Sequence, residues 1–117
     1  MKNSHGRALL MLSSLAILSA CSPVITEQAA RITVHTKVNK LLDGCKKLGP
    51  LEIRYESKTG LNREENETQS RYDLKQQAYD RYQADNIVII RSQYIEGGYR
   101  QPDMFILRGI AYRCHQE

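Results

Sequence analysis

The chain has 117 residues, of which 41% are apolar and 26% charged, and a formal charge of +4. That length allows one small domain and excludes a multidomain enzyme. Seven Gly and three Pro are too few for a collagen-like or low-complexity chain, so an ordinary globular domain is expected.

An export signal comes first in chain order. Lys2, His5 and Arg7 make a short basic region, and Ala8 through Leu18 form an apolar run broken only by Ser13 and Ser14. The run has the length of a signal-peptide core and is too short to span a bilayer as a helix. It ends in Leu18-Ser19-Ala20-Cys21, which resembles the lipobox of bacterial lipoproteins. The resemblance implies that residues 1–20 are removed and that the Cys21 thiol carries a diacylglycerol with palmitate-type chains. Small residues before the cysteine let the backbone enter a narrow protease cleft. Two or more acyl chains, at about 0.8 kcal/mol per buried CH₂, anchor a protein stably. The lipobox reading is preferred over a non-lipidated signal ending at Ala20, or a buried apolar helix, because basic, apolar and lipobox regions follow in the expected order. Ser22 rather than Asp follows the cysteine, and enterobacterial sorting rules then imply the outer membrane, with the domain facing the periplasm.

Lys2 and Arg7 leave with the signal, which lowers the formal charge from +4 to +2. Nucleic acid is not an expected partner outside the cytoplasm, and no aromatic-basic RNA motif is present. Residues 21–31 read as the lipidated N-terminus and a short linker. Ten residues span at most about 35 Å, so the domain, residues 32–117, stays near its membrane.

With Cys21 lipidated, Cys45 and Cys114 remain in an oxidising compartment, where a disulfide between them is expected. Closing a loop of about 70 residues stabilises by roughly 4 kcal/mol, comparable to the net stability of a small domain. A metal site built from Cys45, Cys114, His115 and His35 is disfavoured. Neighbours on an extended strand face opposite ways, so Cys114 and His115 do not readily converge on one ion.

Ile32 to Val38 alternates apolar and polar residues and predicts a first strand. His35 shares a face with Thr33 and Lys37, which reads as a surface histidine rather than a ligand or general base. Asp43-Gly44 supplies a turn. Cys45 to Tyr55 predicts a second strand with Leu51, Ile53 and Tyr55 on one face, and Pro50 implies a bulge or an edge position. Ser57 to Asn62 is a loop. From Arg63 to about Gln83, Leu74, Ala78 and Tyr82 recur at helical spacing. Either Asn62 with Glu65 or Ser70 with Asp73 could cap that helix. Glu64, Glu65 and Glu67 read as a solvated face, and the Asn66-Glu67-Thr68 sequon as inert behind a bacterial signal.

Asn86-Ile87-Val88-Ile89-Ile90 is a continuous apolar run, which predicts a third strand buried on both faces. Tyr94 to Asp103 is a polar connection, and Met104 to Cys114 predicts a last strand. The order is ββαββ. The expected fold is α+β: a small mixed sheet with one helix packed on one face, stapled by the disulfide. The second strand, helix and third strand would form a right-handed crossover if those strands are parallel.

Three segments carry a further resemblance: Cys45-Lys46-Lys47-Leu48-Gly49, Ala84-Asp85-Asn86-Ile87-Val88-Ile89 and Gly109-Ile110-Ala111-Tyr112-Arg113-Cys114. Together they resemble an uncharacterised family of bacterial lipoproteins related to the RcsF envelope-stress sensor, over most of residues 32–114. The family pattern is C-x-x-L-G, a helix ending near Gly-Ala-Asp or Gly-Ala-Asn, an apolar strand and G-x-x-Y-x-C. Gln83 stands where the family usually has the helix-ending Gly. Residues 22–31 are too short for the long Pro-rich linker of RcsF-type sensors, and their additional domain cysteines are absent. The resemblance implies a fold and a compartment more than a signalling role.

No phosphate-binding Gly-rich loop, His-x-x-x-His pair, nucleophile elbow or Cys-x-x-Cys pair occurs in the sequence. No catalytic residue, metal or cofactor is therefore expected, and the protein reads as a non-enzyme. The Gly97-Gly98 turn with Tyr94, Tyr99 and Arg100 is the candidate contact for a protein partner, against the simpler reading of an ordinary hairpin loop. The expected function is that of an outer-membrane-anchored lipoprotein that binds another envelope protein or reports on envelope state. The alternatives are a structural or accessory lipoprotein without signalling, and a binder of small ligands such as cell-wall fragments.

Overall fold

A computed structural model describes residues 23–115; the expected signal and the expected lipidation site at Cys21 lie outside the described residues. In chain order the elements are a helical turn α1 (Glu27–Ala30), strand β1 (Thr33–His35), a 3₁₀ turn (Lys40–Leu42), β2 (Lys46–Glu56), helix α2 (Arg63–Tyr82), β3 (Asn86–Ile95) and β4 (Met104–Arg113). The four strands form one mixed sheet in the order β1-β3-β4-β2, with β1 parallel to β3 and the other two pairs antiparallel. The expected ββαββ order, mixed sheet, single long helix and disulfide are all present.

The helix starts where its cap chemistry is strongest. Asn62 Oδ1 accepts from the Glu65 amide at 2.8 Å, and Glu65 Oε1 accepts from the Asn62 amide at 3.0 Å, a reciprocal capping box. Ser70, the other cap candidate, lies inside the helix, where its hydroxyl donates to the Glu67 carbonyl. Asn66, Ser70, Leu74 and Ala78 form the buried stripe, spaced by four. Leu74 and Ala78 meet Leu51 of β2, Ile87 of β3 and Leu107 and Ala111 of β4 to make the core. The helix ends at Gln83, which adopts φ 51° and ψ 41°, the left-handed cap conformation that a glycine takes at lower cost.

β2 is an edge strand, and its register shifts between Lys47 and Gly49, so the expected edge and the expected bulge both occur near Pro50. Side chains of α2 cover that edge. Tyr82 Oη donates to the Pro50 carbonyl at 3.0 Å, and the Glu52 amide donates to Gln77 Oε1 at 3.0 Å. Gly49 is what admits Tyr82, since a Cβ there would collide with the phenol hydroxyl. Pro50 itself lacks an N–H, so this part of the edge offers a further strand no donor.

Four points refine or correct the expectations. First, β2 and β3 are parallel, as the expected crossover requires, and β4 lies between them, so α2 connects strands that are not neighbours. Second, β1 keeps only Thr33–His35 of the expected Ile32–Val38. Third, β3 continues through Ile95 rather than ending at Ile90, because the β4 ladder pairs Ser92 with Leu107, Tyr94 with Phe105 and Ile95 with Met104. Cross-strand pairing outweighs the weak local β signal of Arg91-Ser92-Gln93. Fourth, residues 23–31 are not a free linker. Thr26 caps α1, Ala29 is buried, and Gln69 of α2 holds the Val24 backbone through both its amide and its carbonyl.

β1 and β2 run in the same direction at opposite edges, so residues 36–45 must cross the sheet. α2 occupies one face. The crossing begins on the other, where His35 Nε2 meets Asn86 Oδ1 at 2.8 Å and Asn39 Nδ2 meets His35 Nδ1 at 3.1 Å. Leu42 is buried along the way. The crossing ends at the Cys45–Cys114 disulfide, which joins residues 69 apart in sequence with a Cα–Cα distance of 4.3 Å.

Candidate functional site

Three regions concentrate chemistry or exposure. The first is the disulfide end. The turn after α2 presents Asp85, whose Oδ1 accepts from the Cys114 amide and from Asn86 Nδ2, both at 2.8 Å. Its Oδ2 accepts from the His115 amide at 2.8 Å and faces His115 Nδ1 at 3.1 Å. Burial pushes this carboxyl up, but the four hydrogen bonds outweigh it and hold Asp85 below the ordinary carboxylate range. Arg113 donates to the Tyr82 carbonyl at 2.6 Å, at the C-terminal end of α2. Asp85, Arg113 and His115 line an open depression of 590 Å³. Both Asp85 oxygens are committed to fixing the end of β4 against β3, so the carboxylate acts as a clamp on the disulfide rather than a free base.

His35, expected on the surface, is half-buried with both ring nitrogens engaged by asparagines. Cys45 and Cys114 are joined to each other, and among the described residues no group of three or more His, Cys, Asp or Glu is arranged to hold a metal ion.

The second region is the helix-free face of the sheet. The β3–β4 register shifts between Ile89 and Arg91, and the extra residue of this bulge, Ile90, is 61% exposed. The apolar run in the sequence places Ile90 inside a strand buried on both faces; Ile87 and Val88 are buried and Ile90 is not. Beside it an open depression of 510 Å³ is lined by Lys47, Pro50, Glu52, Arg108 and Ile110. Glu52 Oε1 lies 3.4 Å from Arg54 Nε and 3.5 Å from Arg108 Nε, so one carboxylate serves two guanidinium groups. Further along, Ile95 is exposed and Met104 half-exposed. Exposed apolar side chains beside a charged rim on an uncovered sheet face offer a place for a protein contact. Since β1 stops at the pairing of His35 with Val88, the outer edge of β3 from Ile89 to Ile95 also lacks a neighbouring strand among the described residues.

The third region is the β3–β4 hairpin, where the three residues singled out from sequence separate. Tyr94 points inward. Its hydroxyl donates to Asp103 Oδ2 at 2.5 Å, its ring lies 5.0 Å from Phe105, and the Arg63 guanidinium stacks over it at 4.0 Å. Asp103 Oδ1 also accepts from the Gly97 amide at 2.8 Å, closing the base of the loop. The shared hydrogen bond lowers the Asp103 pKa and raises that of Tyr94. Tyr99 and Arg100 project from the tip instead. Tyr99 is 88% exposed, and the Arg100 guanidinium lies 5.2 Å above its ring, with Arg100 itself at φ 61°.

Sequence reasoning misses Ile90 because a bulge is a mismatch between two strands and leaves no mark on either alone. Tyr99 and Arg100 are legible through the adjacent Gly97-Gly98. No protein-family model, no curated protein and no solved structure matches this chain.

Proposed function

We propose that this chain is an outer-membrane-anchored lipoprotein, acylated at Cys21 and facing the periplasm, that binds another envelope protein through the helix-free face of its sheet. The anchor reading is supported by the order of basic, apolar and lipobox segments. It is also supported by cysteine use: Cys45 and Cys114 are spent on each other, which leaves Cys21 alone for the lipid. No helix among the described residues is long and apolar enough to cross a membrane. The resemblance to lipoproteins related to RcsF agrees with that compartment.

The observation that carries the binding reading is Ile90, an isoleucine turned out by a bulge beside a charged rim and an open strand edge. An exposed branched side chain there gains burial only from another molecule. The function has no enzymatic step, and Asp85, the most elaborately held carboxylate, serves the disulfide.

Mass spectrometry of the protein extracted from membranes under non-reducing conditions should find Cys21 first, acylated, with Cys45 and Cys114 bridged. A mature chain starting elsewhere and lacking acyl groups ends the anchor reading. A photo-crosslinker at Ile90 in native membranes should capture one defined envelope protein, and capture should fall when Ile110 is changed to Asp. No adduct at either Ile90 or Gln93 rejects this face as the contact.

A further inference from the structure

The N-terminal segment approaches the domain from a definite side. Val24 is held by Gln69, its amide donating at 2.8 Å and its carbonyl accepting at 3.2 Å, and Thr26 binds Gln76 about two turns further along α2. Residues 24–31 therefore run beside α2 in the direction of the helix. α2 itself starts at the end of the sheet where β2 finishes at Glu56, opposite Met104, and ends at the disulfide. The chain thus enters from the hairpin end of the domain.

The reach is short. Three residues separate Cys21 from Val24, at most about 10 Å when extended. Gln69 lies six residues into α2, about 9 Å from its start. A lipid at residue 21 is therefore tethered within about 10 Å of Val24, and Val24 itself is held by Gln69, about 9 Å from the end of α2 where Arg63 stacks on Tyr94. The β3–β4 ladder extends to Ile95 and Met104, and residues 96–103 project further still. The tether is short enough to bring this end of the domain, and with it the hairpin tip, to the surface that the lipid enters.

We infer that Tyr99 and Arg100 form a second membrane contact, in the headgroup layer of the bilayer that holds Cys21. The inference rests on the lipid-anchor reading above. A tyrosine ring has an apolar body and a polar tip and settles at that depth, and a guanidinium beside it can pair with lipid phosphate. Glu56, Glu64, Glu65, Glu96 and Asp103 outnumber Lys58, Arg63 and Arg100 at this end, so it carries no excess of positive charge. The contact is made by the ring rather than by attraction to anionic lipid and should survive salt.

The chain contains no tryptophan, so one introduced indole reports its own position. Full-length Tyr99→Trp protein, purified from membranes with its lipid, is reconstituted in phosphatidylethanolamine–phosphatidylglycerol vesicles. Its emission should shift to the blue relative to the same variant of the soluble domain without lipid, and lose most of its intensity when the lipids are brominated near the headgroup. Leu41→Trp is the control, because Leu41 is exposed beside Cys45 at the opposite end and should remain aqueous. An acylated Tyr99→Trp protein that floats with the vesicles while its indole stays aqueous overturns the tip contact and leaves the anchor standing. Shielding of that indole without quenching by brominated lipid indicates a protein contact and also overturns it. Absence of acyl groups at Cys21 removes the tether and both readings together.

Discussion

Replacing Asn66 by alanine removes a side chain that joins β2, the following loop and α2. Asn66 is 3% exposed, and its amide makes four hydrogen bonds. Its Oδ1 accepts from Tyr55 Oη and from the Lys58 amide, both at 2.9 Å. Its Nδ2 donates to the carbonyls of Leu61 at 3.2 Å and Asn62 at 3.0 Å. The loop groups lie nearer the surface and can recover water, so each contributes toward the lower end of about 0.5–1.5 kcal/mol. The Tyr55 hydroxyl belongs to a buried residue and would be left without an acceptor, a penalty of about 1–3 kcal/mol. Together these losses put Asn66→Ala at about 3 kcal/mol, which for a domain of this size lowers Tm by about 12–24 °C. Tyr55→Phe deletes the donor instead and should lose about 1 kcal/mol. The double variant should be more stable than the sum of the two losses, by about 1–2 kcal/mol, because no orphaned hydroxyl remains. Urea unfolding of the oxidised protein, followed by far-UV circular dichroism, measures all four corners. A loss below about 1 kcal/mol for Asn66→Ala, or strict additivity in the cycle, would refute the assignment of Asn66 as the joint.

Other consequences can be tested on the same purified domain. Replacing Cys45 and Cys114 by serine together opens a loop spanning 69 residues and should lower stability by about 4 kcal/mol in the same unfolding assay; an unchanged midpoint would mean the bridge does not constrain the unfolded chain. Gln83→Gly relieves a left-handed conformation at a helix end and should raise stability by about 0.5–1 kcal/mol, read as a higher urea midpoint. Asp85 is held below its ordinary value of 3.8, so its contribution is fully present above that pH and is lost as pH falls through the lower folded-state value. Acid titration of stability should therefore show a fall below pH 3.8 that Asp85→Asn reduces, and an identical acid limb in both proteins would count against the clamp.

The parts of the structure that depend on near neighbours are written openly in the chain. Leu74, Ala78 and Tyr82 at helical spacing mark α2, and Pro50 marks β2 as an irregular edge. Asn62 and Glu65 form the capping box, although Ser70 with Asp73 reads equally well until packing places Ser70 inside the helix. Asn66 is the sharpest contrast. In sequence it is part of a sequon of no consequence, and its burial depends on Tyr55, eleven residues earlier, being folded back over the helix.

Helical period and the pairing of the last two cysteines can be read without the fold, because each rests on spacing along the chain or on simple counting. The position of β4 between β2 and β3, the length of β3, the docking of residues 23–31 and the outward turn of Ile90 cannot. They follow from contacts between segments distant in sequence, above all the register of the strands. One residue gained or lost in that register moves a side chain from core to solvent, and no local signal records it.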